Sequence, residues 1–334
     1  MRRARLRGAL IGCGFFGRIQ AEAWRRIPEA EIVAACDRDL ARAQQVAPQA
    51  YLSAAHMLES ERLDFVDIAT TPEAHLELVR LAAGHGVHII CQKPMAPDWE
   101  QAVAMVKAAE AAGVRLIIHE NWRWQPWYRE AAARMRQGEI GFPLTYWFRV
   151  RRHDGRGSHP YPQQPYFRQM PRLLIFETMV HTLDTARMLF GEIESVCALL
   201  RRVNPNIAGE DHAALLVRHQ DALFGVMDGH RFLDLTPDSP PLGEAWFEGD
   251  RGCLHVTAEG HLLQDGCLVW ENRARQGYRG DSVRAAQQHF VACLLSGAPA
   301  ESEGREYLKT FAAVEAAYRS AAEGRLVALR EFLA

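Results

Sequence analysis

The sequence predicts two units of different fold class. Residues 1–122 are expected to form an α/β Rossmann-type unit with a parallel sheet, because short apolar runs alternate there with segments of helical periodicity. In residues 123–334 apolar runs follow one another with only turn residues between them, which favours an α+β unit with a large, open, mainly antiparallel sheet. We expect that the C-terminal helices can pack back on the first unit.

The first predicted strand, LRGALI at 6–11, is followed by Gly12, Gly14 and Gly17 and then by a segment with helical spacing. A GxGxxG pattern is weak evidence alone, but between a strand and a helix it is typical of a turn that binds a dinucleotide pyrophosphate. The helix N-terminus favours the negative charge of the phosphates. The glycines, together with Phe15 and Phe16, are therefore predicted cofactor-binding residues.

The second predicted strand, AEIVAACD, ends at Asp37, twenty residues after Gly17. A carboxylate at this distance can accept hydrogen bonds from the ribose hydroxyls of the adenosine, and it would repel a 2′-phosphate. NAD is therefore favoured over NADP, although Arg38 could bind that phosphate and weaken the preference. The alternative role for Asp37 is that of an ordinary turn carboxylate.

Three further predicted strands, DFVDIAT, HIICQ and RLIIHE, end in polar residues. Ligands of parallel sheets bind beyond the carboxyl ends of the strands. The predicted cofactor-binding residues on this rim are Thr70, Thr71, Pro72, His75, Gln92, Lys93 and Asn121. Lys93 is notable because the chain has 39 Lys plus Arg, of which only Lys93, Lys107 and Lys309 are lysine. The lysine amine can release a proton where an arginine guanidinium cannot, which favours a functional role for Lys93. The alternative is that a lysine occurs at this position by chance.

Composition excludes several classes of protein. A net charge of −2 without a basic stripe argues against nucleic-acid binding, and no apolar run approaches the length of a membrane span. Seven scattered cysteines without a CxxC pattern suggest free thiols. The twin arginine at residues 2 and 3 imitates an export signal, but the short apolar stretch runs directly into the glycine pattern. We expect a cytoplasmic protein.

The sequence resembles the glucose–fructose oxidoreductase / inositol dehydrogenase / MocA family in GCGFFG, IATTPEAH, CQKP, NWRWQP, ETMVHTLD and the C-terminal AAYRSAAEGRLVAL. The resemblance implies an NAD(P)-dependent oxidoreductase acting on a sugar, cyclitol or related alcohol. It implies that Lys93 positions and polarises the reacting oxygen. The family usually has Glu-Lys-Pro where this chain has Gln92-Lys93-Pro94, and that change removes a negative charge beside the lysine.

The second family motif is an Asp four residues before a His, and here it is Glu177 and His181, with Asp184 following. Spacings of four and three predict that all three lie on one helix face. The imidazole of His181 is the predicted general base, and Glu177 either contacts substrate or orients the ring. Spacing alone favours an exposed Glu–His pair, and it is the lysine motif together with the family resemblance that favours the catalytic role. No second His or Cys cluster completes a metal site, so no metal is expected.

Other predicted substrate contacts come from two loops. Asn121 and Arg123 leave the fifth-strand region and can hydrogen-bond hydroxyls, whereas Trp122, Trp124 and Trp127 either stack on a sugar or belong to the core. Residues 153–172 form one long irregular segment, either a functional lid or a surface loop. Within it Tyr166 and Arg168 are the predicted substrate contacts.

Together these features predict an NAD-dependent dehydrogenase that oxidises a hydroxyl of a sugar, an aldose by preference. CQKP with HENWRWQP is similar to the D-apiose dehydrogenase branch of the family, which implies oxidation at C1 to the lactone. The alternatives are a keto-sugar, cyclitol or imine reductase on the same scaffold and a non-catalytic regulator that senses NAD and sugar. A homodimer or homotetramer through the sheet of the second unit is expected.

Overall fold

The computed structural model describes residues 5–236 and 239–333, which form two compact units. The first comprises the chain up to Asn121 together with Gln276–Leu308, and the second comprises Trp122–Arg275 and the chain from Lys309 onward. The twin arginine at residues 2 and 3 lies outside the described residues. In the part of the chain that is described, no helix combines the length and the apolar character needed to cross a membrane.

The first unit is built on a parallel sheet with strand order β3-β2-β1-β4-β5-β6 among the described residues. Its strands are β1 Leu6–Ile11, β2 Ala30–Cys36, β3 Gln49–Tyr51, β4 Phe65–Ile68, β5 His88–Gln92 and β6 Leu116–His119. Its helices are α1 Phe15–Trp24, α2 Leu40–Gln44, α3 Ala54–Ser60, α4 His75–Gly84, α5 Trp99–Ala111 and α8 Ser282–Ser296. All four residues of β4 are buried, as expected for a parallel strand covered on both faces. The predicted order of strands and helices is confirmed, except that the three-residue β3 was not predicted.

Aromatic side chains from three elements form the core below this sheet. The Phe65 ring of β4 lies 4.9 Å from that of Trp24 in α1 and 5.3 Å from that of Phe290 in α8. A β-carbon added at Gly8 would lie 2.2 Å from the Phe65 ring, so glycine is required where β1 passes this aromatic group. The packing fixes α1, and therefore the glycine turn that precedes it, against the sheet.

The second unit is built on a mixed sheet with order β14-β13-β12-β11-β7-β10-β9-β8-β15 in the described residues. Its strands are β7 Pro143–Arg151, β8 Ile193–Arg201, β9 His212–His219, β10 Phe224–His230, β11 Gly243–Gly249, β12 Cys253–Val256, β13 Leu262–Gln264, β14 Cys267–Trp270 and β15 Val327–Ala328. Its helices are α6 Pro126–Arg136, α7 Val180–Phe190, α9 Gly304–Glu323, which begins in the first unit, and α10 Arg330–Leu333. The pair β7 and β10 is parallel, and the other pairs are antiparallel. The predicted mainly antiparallel sheet is confirmed, while the short β13, β14 and β15 were not predicted.

One face of this second sheet is covered by helices. Tyr146 of β7 stacks on Phe190 of α7 at 4.6 Å, and Phe148 of the same strand lies 5.9 Å from Tyr128 of α6. The alternate residues of the strands point to the other face, where Trp147, Leu216, Phe224 and Val226 are exposed. The sheet therefore has one face packed in the core of the unit and one open apolar face.

Candidate active site

The glycine turn after β1 leaves open space in front of the backbone. Gly12 has a φ of +95°, and a β-carbon there would lie 2.7 Å from the carbonyl oxygen of Ala69. A β-carbon at Gly17 would lie 2.0 Å from the Gly12 oxygen, so this glycine lets α1 pack closely on the turn. At Gly14 a β-carbon would meet nothing within 4 Å. A ligand can therefore approach the backbone at the start of α1.

Asp37 is tied to this turn by its side chain. It follows β2, and its carboxylate accepts hydrogen bonds from the backbone N–H of Cys13 at 2.7 Å and of Asp39 at 2.9 Å. A carboxylate has about four lone-pair sites, so capacity remains for ribose hydroxyls. Arg38 beside it is exposed. Burial, and then the Asp37 charge, raise the pKa of the Cys13 thiol to about 12, so it remains protonated and unreactive.

His75 connects the ends of two neighbouring strands. Its ring nitrogens lie 3.0 Å from the Met95 carbonyl oxygen and 3.1 Å from that of Thr70, and the side chain is completely buried. Burial lowers the pKa of His75 and outweighs the two carbonyls. The ring thus holds the loop after β4, where Thr70, Thr71 and Pro72 lie, to the loop after β5. A direct contact of His75 with cofactor stays a prediction.

Lys93 lies at the carboxyl end of β5, as predicted. Its backbone N–H donates to Oε1 of Gln92 at 2.8 Å, and the residue is 9% exposed. A cis peptide bond joins it to Pro94, and Met95 beyond is buried. Gln92 thus uses its carboxamide oxygen to fix the turn that presents the lysine.

Asn121 and Phe16 have structural partners within the first unit. The Asn121 side-chain amide donates to Oγ of Ser282 at 2.8 Å, at the first residue of α8, and Asn121 is buried. The Phe16 ring makes an edge contact with Tyr278 at 5.5 Å. Both residues therefore help to join the Gln276–Leu308 segment to its unit, and their predicted cofactor contacts remain predictions.

In the second unit, a 3₁₀ turn at Trp122–Trp124 is fastened to α7. The Trp122 indole stacks on the imidazole of His181 with ring centroids 4.6 Å apart and an interplanar angle of 4°. The next residue, Arg123, donates Nε and Nη2 to the two carboxylate oxygens of Asp184 at 2.7 and 2.6 Å. Two adjacent residues of the turn thus fix two residues of α7 that lie one turn apart, and the plane of the His181 ring is set by the indole.

Asp184 is completely buried in this arrangement. Burial alone would raise its pKa, but the paired guanidinium of Arg123 and then the Arg187 charge outweigh burial and hold the pKa of Asp184 below its usual range. Thr310 also donates its hydroxyl to Asp184 at 2.8 Å. Asp184 therefore holds Arg123 in place, and the predicted role of Arg123 in substrate binding stays a prediction.

The position of Glu177 differs from the one predicted from the sequence. The helical spacing predicted that Glu177, His181 and Asp184 share one α-helical face, but Glu177 lies in a π-helical turn, Leu174–Met179, that precedes α7. A π-helix has wider turns than an α-helix, so the four-residue spacing does not fix where Glu177 lies relative to His181. Glu177 and His181 are 9% and 6% exposed.

The irregular segment 153–172 has its own small apolar core. Tyr161 and Phe167 pack with Leu173 and Ile207, whereas Tyr166 is 44% exposed. Arg168 donates Nε to the Pro165 oxygen at 3.1 Å, a contact inside the segment. The structure thus anchors the segment, and substrate contacts by Tyr166 and Arg168 stay predictions.

Comparison with known proteins matches both units. Residues 6–120 match a model described as an oxidoreductase family with an NAD-binding Rossmann fold, and residues 128–254 match the GFO/IDH/MocA C-terminal domain. The chain belongs to the GFO/IDH/MocA oxidoreductase family. It is therefore an oxidoreductase whose cofactor is NAD, and the family predicted from the motifs is confirmed.

Individual members of the GFO/IDH/MocA family match over nearly the whole chain. A D-apiose dehydrogenase of Paraburkholderia graminis is 41% identical and covers 98% of this chain and 90% of the relative. Another, from Rhizobium rhizogenes, is 38% identical with 98% of each chain covered. A crystal structure of an Agrobacterium radiobacter oxidoreductase in complex with NAD+, L-tartaric acid and magnesium has a TM-score of 0.90 at 37% identity, covering 98% of this chain and 99% of that one.

The first unit fits the NAD of this family. The open approach at Gly14 and the close packing at Gly17 suit a pyrophosphate at the N-terminus of α1. Asp37, held by two backbone N–H groups, retains acceptor sites for a ribose.

Sequence reasoning missed two residues that contact the π-helical turn of this GFO/IDH/MocA chain. Glu210 accepts hydrogen bonds at its beginning, and Arg231 donates to Thr178 near its end at 2.8 Å. Both are buried. Because their contacts span 35 and 53 residues of sequence, no local motif could have identified them.

Proposed function

We propose that this chain is an NAD-dependent dehydrogenase that oxidises a hydroxyl group of an aldose, with D-apiose at C1 as the leading candidate substrate. The observation that carries the proposal is the full-length similarity to two D-apiose dehydrogenases, at 41% and 38% identity over 98% of this chain. Such similarity covers the cofactor unit and the substrate unit together, whereas a Rossmann fold alone would leave the substrate open.

The proposed roles follow from the chemistry of the named side chains. NAD, when bound, supplies the acceptor for the hydride. His181 takes the proton of the reacting hydroxyl, and the stacked indole of Trp122 supports this role because it fixes the ring plane. Lys93 donates to the same oxygen and stabilises its developing negative charge. Glu177 hydrogen-bonds the substrate or orients His181.

We further propose that Asp37 makes the enzyme prefer NAD to NADP. Its carboxylate is held towards the glycine turn, where a 2′-phosphate would meet like charge. Asp37→Ser should therefore weaken NAD and relatively favour NADP, with Arg38 available to the phosphate. An unchanged ratio of kcat/KM for the two cofactors would remove Asp37 from the ribose site.

The substrate is tested with purified protein by following NADH at 340 nm. D-apiose, other aldoses and cyclitols are offered with NAD+, and keto-sugars with NADH. We expect the highest kcat/KM with D-apiose and a lactone as the first product. Turnover restricted to cyclitols or keto-sugars would replace the aldose assignment. Binding of NAD and sugar without any turnover would identify a sensor instead of an enzyme.

The few lysines of the chain offer a matched test of Lys93. Lys93→Arg keeps the charge but cannot readily release a proton, and Lys93→Met removes the charge and the donors. Both should abolish hydride transfer, in kcat as well as in kcat/KM, while calorimetry still detects NAD binding. Lys107→Arg and Lys107→Met, at an exposed residue of α5, are the controls. Near-normal turnover of Lys93→Arg would contradict a role at the reacting oxygen.

We also propose that two copies associate through the open face of the second sheet. Leu216, Phe224 and Val226 are exposed on adjacent strands there, beside Trp147. An apolar face of this kind is typical of a subunit interface. Val226→Arg should therefore yield monomers in light scattering, and a wild type that is monomeric at micromolar concentration would contradict the interface.

We place the protein in the cytoplasm because all seven cysteines are free thiols.

A further inference from the structure

The π-helical turn Leu174–Met179 contains Glu177 and leads directly into α7, which contains His181. The first N–H groups of any helix lack partners within the helix, and a π-helix is otherwise an unfavourable conformation. Such turns occur frequently at functional sites, where surrounding side chains must stabilise them. The groups that satisfy the start of this turn therefore decide where Glu177 lies.

Glu210 satisfies three consecutive N–H groups at this start. Its Oε1 accepts from Ile175 N at 3.0 Å, and Leu173 N lies 3.3 and 3.2 Å from Oε1 and Oε2. Its backbone carbonyl accepts from Leu174 N at 3.1 Å. The residue is only 7% exposed, so these bonds are made in a water-poor environment. Glu210 thus caps the turn with both its side chain and its main chain.

Tyr318 of α9 completes this cap. Its hydroxyl donates to Oε1 of Glu210 at 2.6 Å and accepts from Phe176 N at 3.2 Å. Burial, and then the Glu210 charge, raise the pKa of Tyr318 well above its usual value, so the hydroxyl remains a donor. The N–H groups of four consecutive residues, 173–176, are therefore all bound by Glu210 and Tyr318.

Arg231 holds the other end of the turn. Its Nη1 donates to Oγ1 of Thr178 at 2.8 Å, and its Nε and Nη2 donate to the carboxylate of Asp154 at 2.7 and 2.6 Å. Arg231 also interacts electrostatically with Glu177. Glu177 thus lies between two anchors, Glu210 with Tyr318 before it and Arg231 after it.

We propose that Glu210 and Arg231 are positioning residues that fix Glu177 in the substrate site by holding the two ends of the π-helical turn. The proposal rests on the proposed dehydrogenase function. A displacement of about 1 Å at a reacting group can cost roughly 100-fold in rate. Loss of either anchor should therefore impair turnover through Glu177 although neither residue touches the reacting atoms.

The variants that test this are Glu210→Gln, Tyr318→Phe and Arg231→Lys, each made in wild-type and in Glu177→Gln backgrounds. Glu210→Gln keeps the size of the side chain but replaces an acceptor by an NH₂ that faces backbone donors. Tyr318→Phe removes one hydroxyl and is the mildest change. Glu139→Gln is the control, because Glu139 belongs to the same unit but pairs with Arg134 and, in the described part of the chain, makes no hydrogen bond or ion pair with this turn.

We expect kcat/KM for the sugar to fall about 10- to 100-fold in Glu210→Gln and less in Tyr318→Phe, with NAD affinity unchanged. If the anchors act through Glu177, the same substitutions should cost less than about threefold once Glu177 is already Gln, because coupled residues are non-additive. Equal losses in both backgrounds would show a general structural effect and overturn the proposal.

Hydrogen exchange separates this proposal from the dehydrogenase assignment. Amide exchange of residues 173–178 should accelerate in Tyr318→Phe but not in Glu139→Gln. Unchanged exchange would overturn the anchoring even if turnover fell. If the wild type turned over no sugar at all, the dehydrogenase assignment would fail, and the exchange result would still decide whether the cap holds the turn.

Discussion

Two carboxylates, one in the core of each unit, are equally buried and have pKa shifts of opposite sign. Asp67 of β4 and Asp184 of α7 are both 0% exposed. Burial raises the pKa of Asp67 to about 7, whereas the pKa of Asp184 is held below its usual range. The difference cannot come from burial, so it comes from what each carboxylate contacts.

The partners of Asp67 are neutral. Gln20 Nε2 and Trp24 Nε1, both on α1, donate to its two oxygens at 2.8 and 2.7 Å, and the neighbouring Gln287 side chain of α8 also lowers the pKa of Asp67. These donors lower the pKa but offset burial only in part. The partners of Asp184 include two arginines, and a full positive charge in a water-poor interior outweighs the cost of burial. Burial makes ionisation of both carboxylates unfavourable, and the charge of the neighbouring groups decides whether the carboxylate is nevertheless ionised.

The largest expected effect comes from breaking the charged pair in the second unit. Arg123→Met leaves a buried carboxylate without its bidentate partner, and Asp184→Asn deprives Arg123 of its carboxylate. Each should lower the free energy of unfolding by about 3–5 kcal/mol. Each should also reduce turnover, because the Trp122–Trp124 turn that stacks on His181 loses its attachment to α7. Urea unfolding and steady-state kinetics measure the two effects.

The double variant Arg123→Met/Asp184→Asn sharpens this test. Removing one partner of a buried ion pair leaves an unpaired buried charge, whereas removing both partners does not. The double variant should therefore lose less unfolding free energy than the sum of the two single variants. Arg134→Met, at a more exposed ion pair with Glu130 and Glu139, is the control and should cost about 1 kcal/mol or less. Additive losses in the double variant would mean that Arg123 and Asp184 do not act as a pair.

Sequence separation explains which features the sequence could predict and which it could not. The glycine turn and Asp37 were recognisable because the residues concerned are close in sequence. The φ of +95° at Gly12 favours glycine, and Asp37 follows a predicted strand twenty residues after Gly17. The attachment of Arg123 to Asp184 spans 61 residues, and no spacing reveals it.

The π-helical turn escaped prediction for a related reason. A four-residue spacing between Glu177 and His181 is the pattern of an α-helix, and the sequence of the turn itself contains nothing that opposes one. The turn is held by Glu210 and Tyr318, whose hydrogen bonds to it span 35 and 142 residues. Short strands such as β3 were missed because three residues are too few to show an alternation.

A pH-dependent stability is the next largest effect, and it belongs to Asp67. Because its folded pKa is raised above the unfolded value, the folded state holds the proton longer than the unfolded state between about pH 4 and pH 7. The contribution of Asp67 to stability is therefore fully present below that window and is lost as pH rises to 7. The loss is up to about 4 kcal/mol at 1.36 kcal/mol per pKa unit.

Asp67→Asn removes this dependence. Among the described residues, Oε1 of Gln20 has no hydrogen-bond partner, so its carboxamide can turn to accept from the new Asn amide. The difference in unfolding free energy between variant and wild type should therefore shift in favour of the variant from pH 4.5 to pH 8. Asp39→Asn, at the exposed cap of α2, is the control. Parallel pH profiles of wild type and Asp67→Asn would contradict a protonated Asp67.

The smallest effect comes from removing one neutral donor from each carboxylate. Thr310→Val deletes the hydroxyl that donates to Asp184, and Trp24→Phe deletes the indole N–H that donates to Asp67. Thr310→Val should cost about 1 kcal/mol, equally at pH 5 and pH 8, because Arg123 keeps Asp184 ionised throughout.

Trp24→Phe also loses packing at both pH values, but it should cost more at pH 8 than at pH 5, since the ionised Asp67 then loses one of its few donors. Urea unfolding at the two pH values measures both. If Thr310→Val showed the pH-dependent loss and Trp24→Phe did not, the assignment of charged and neutral partners to the two carboxylates would be reversed.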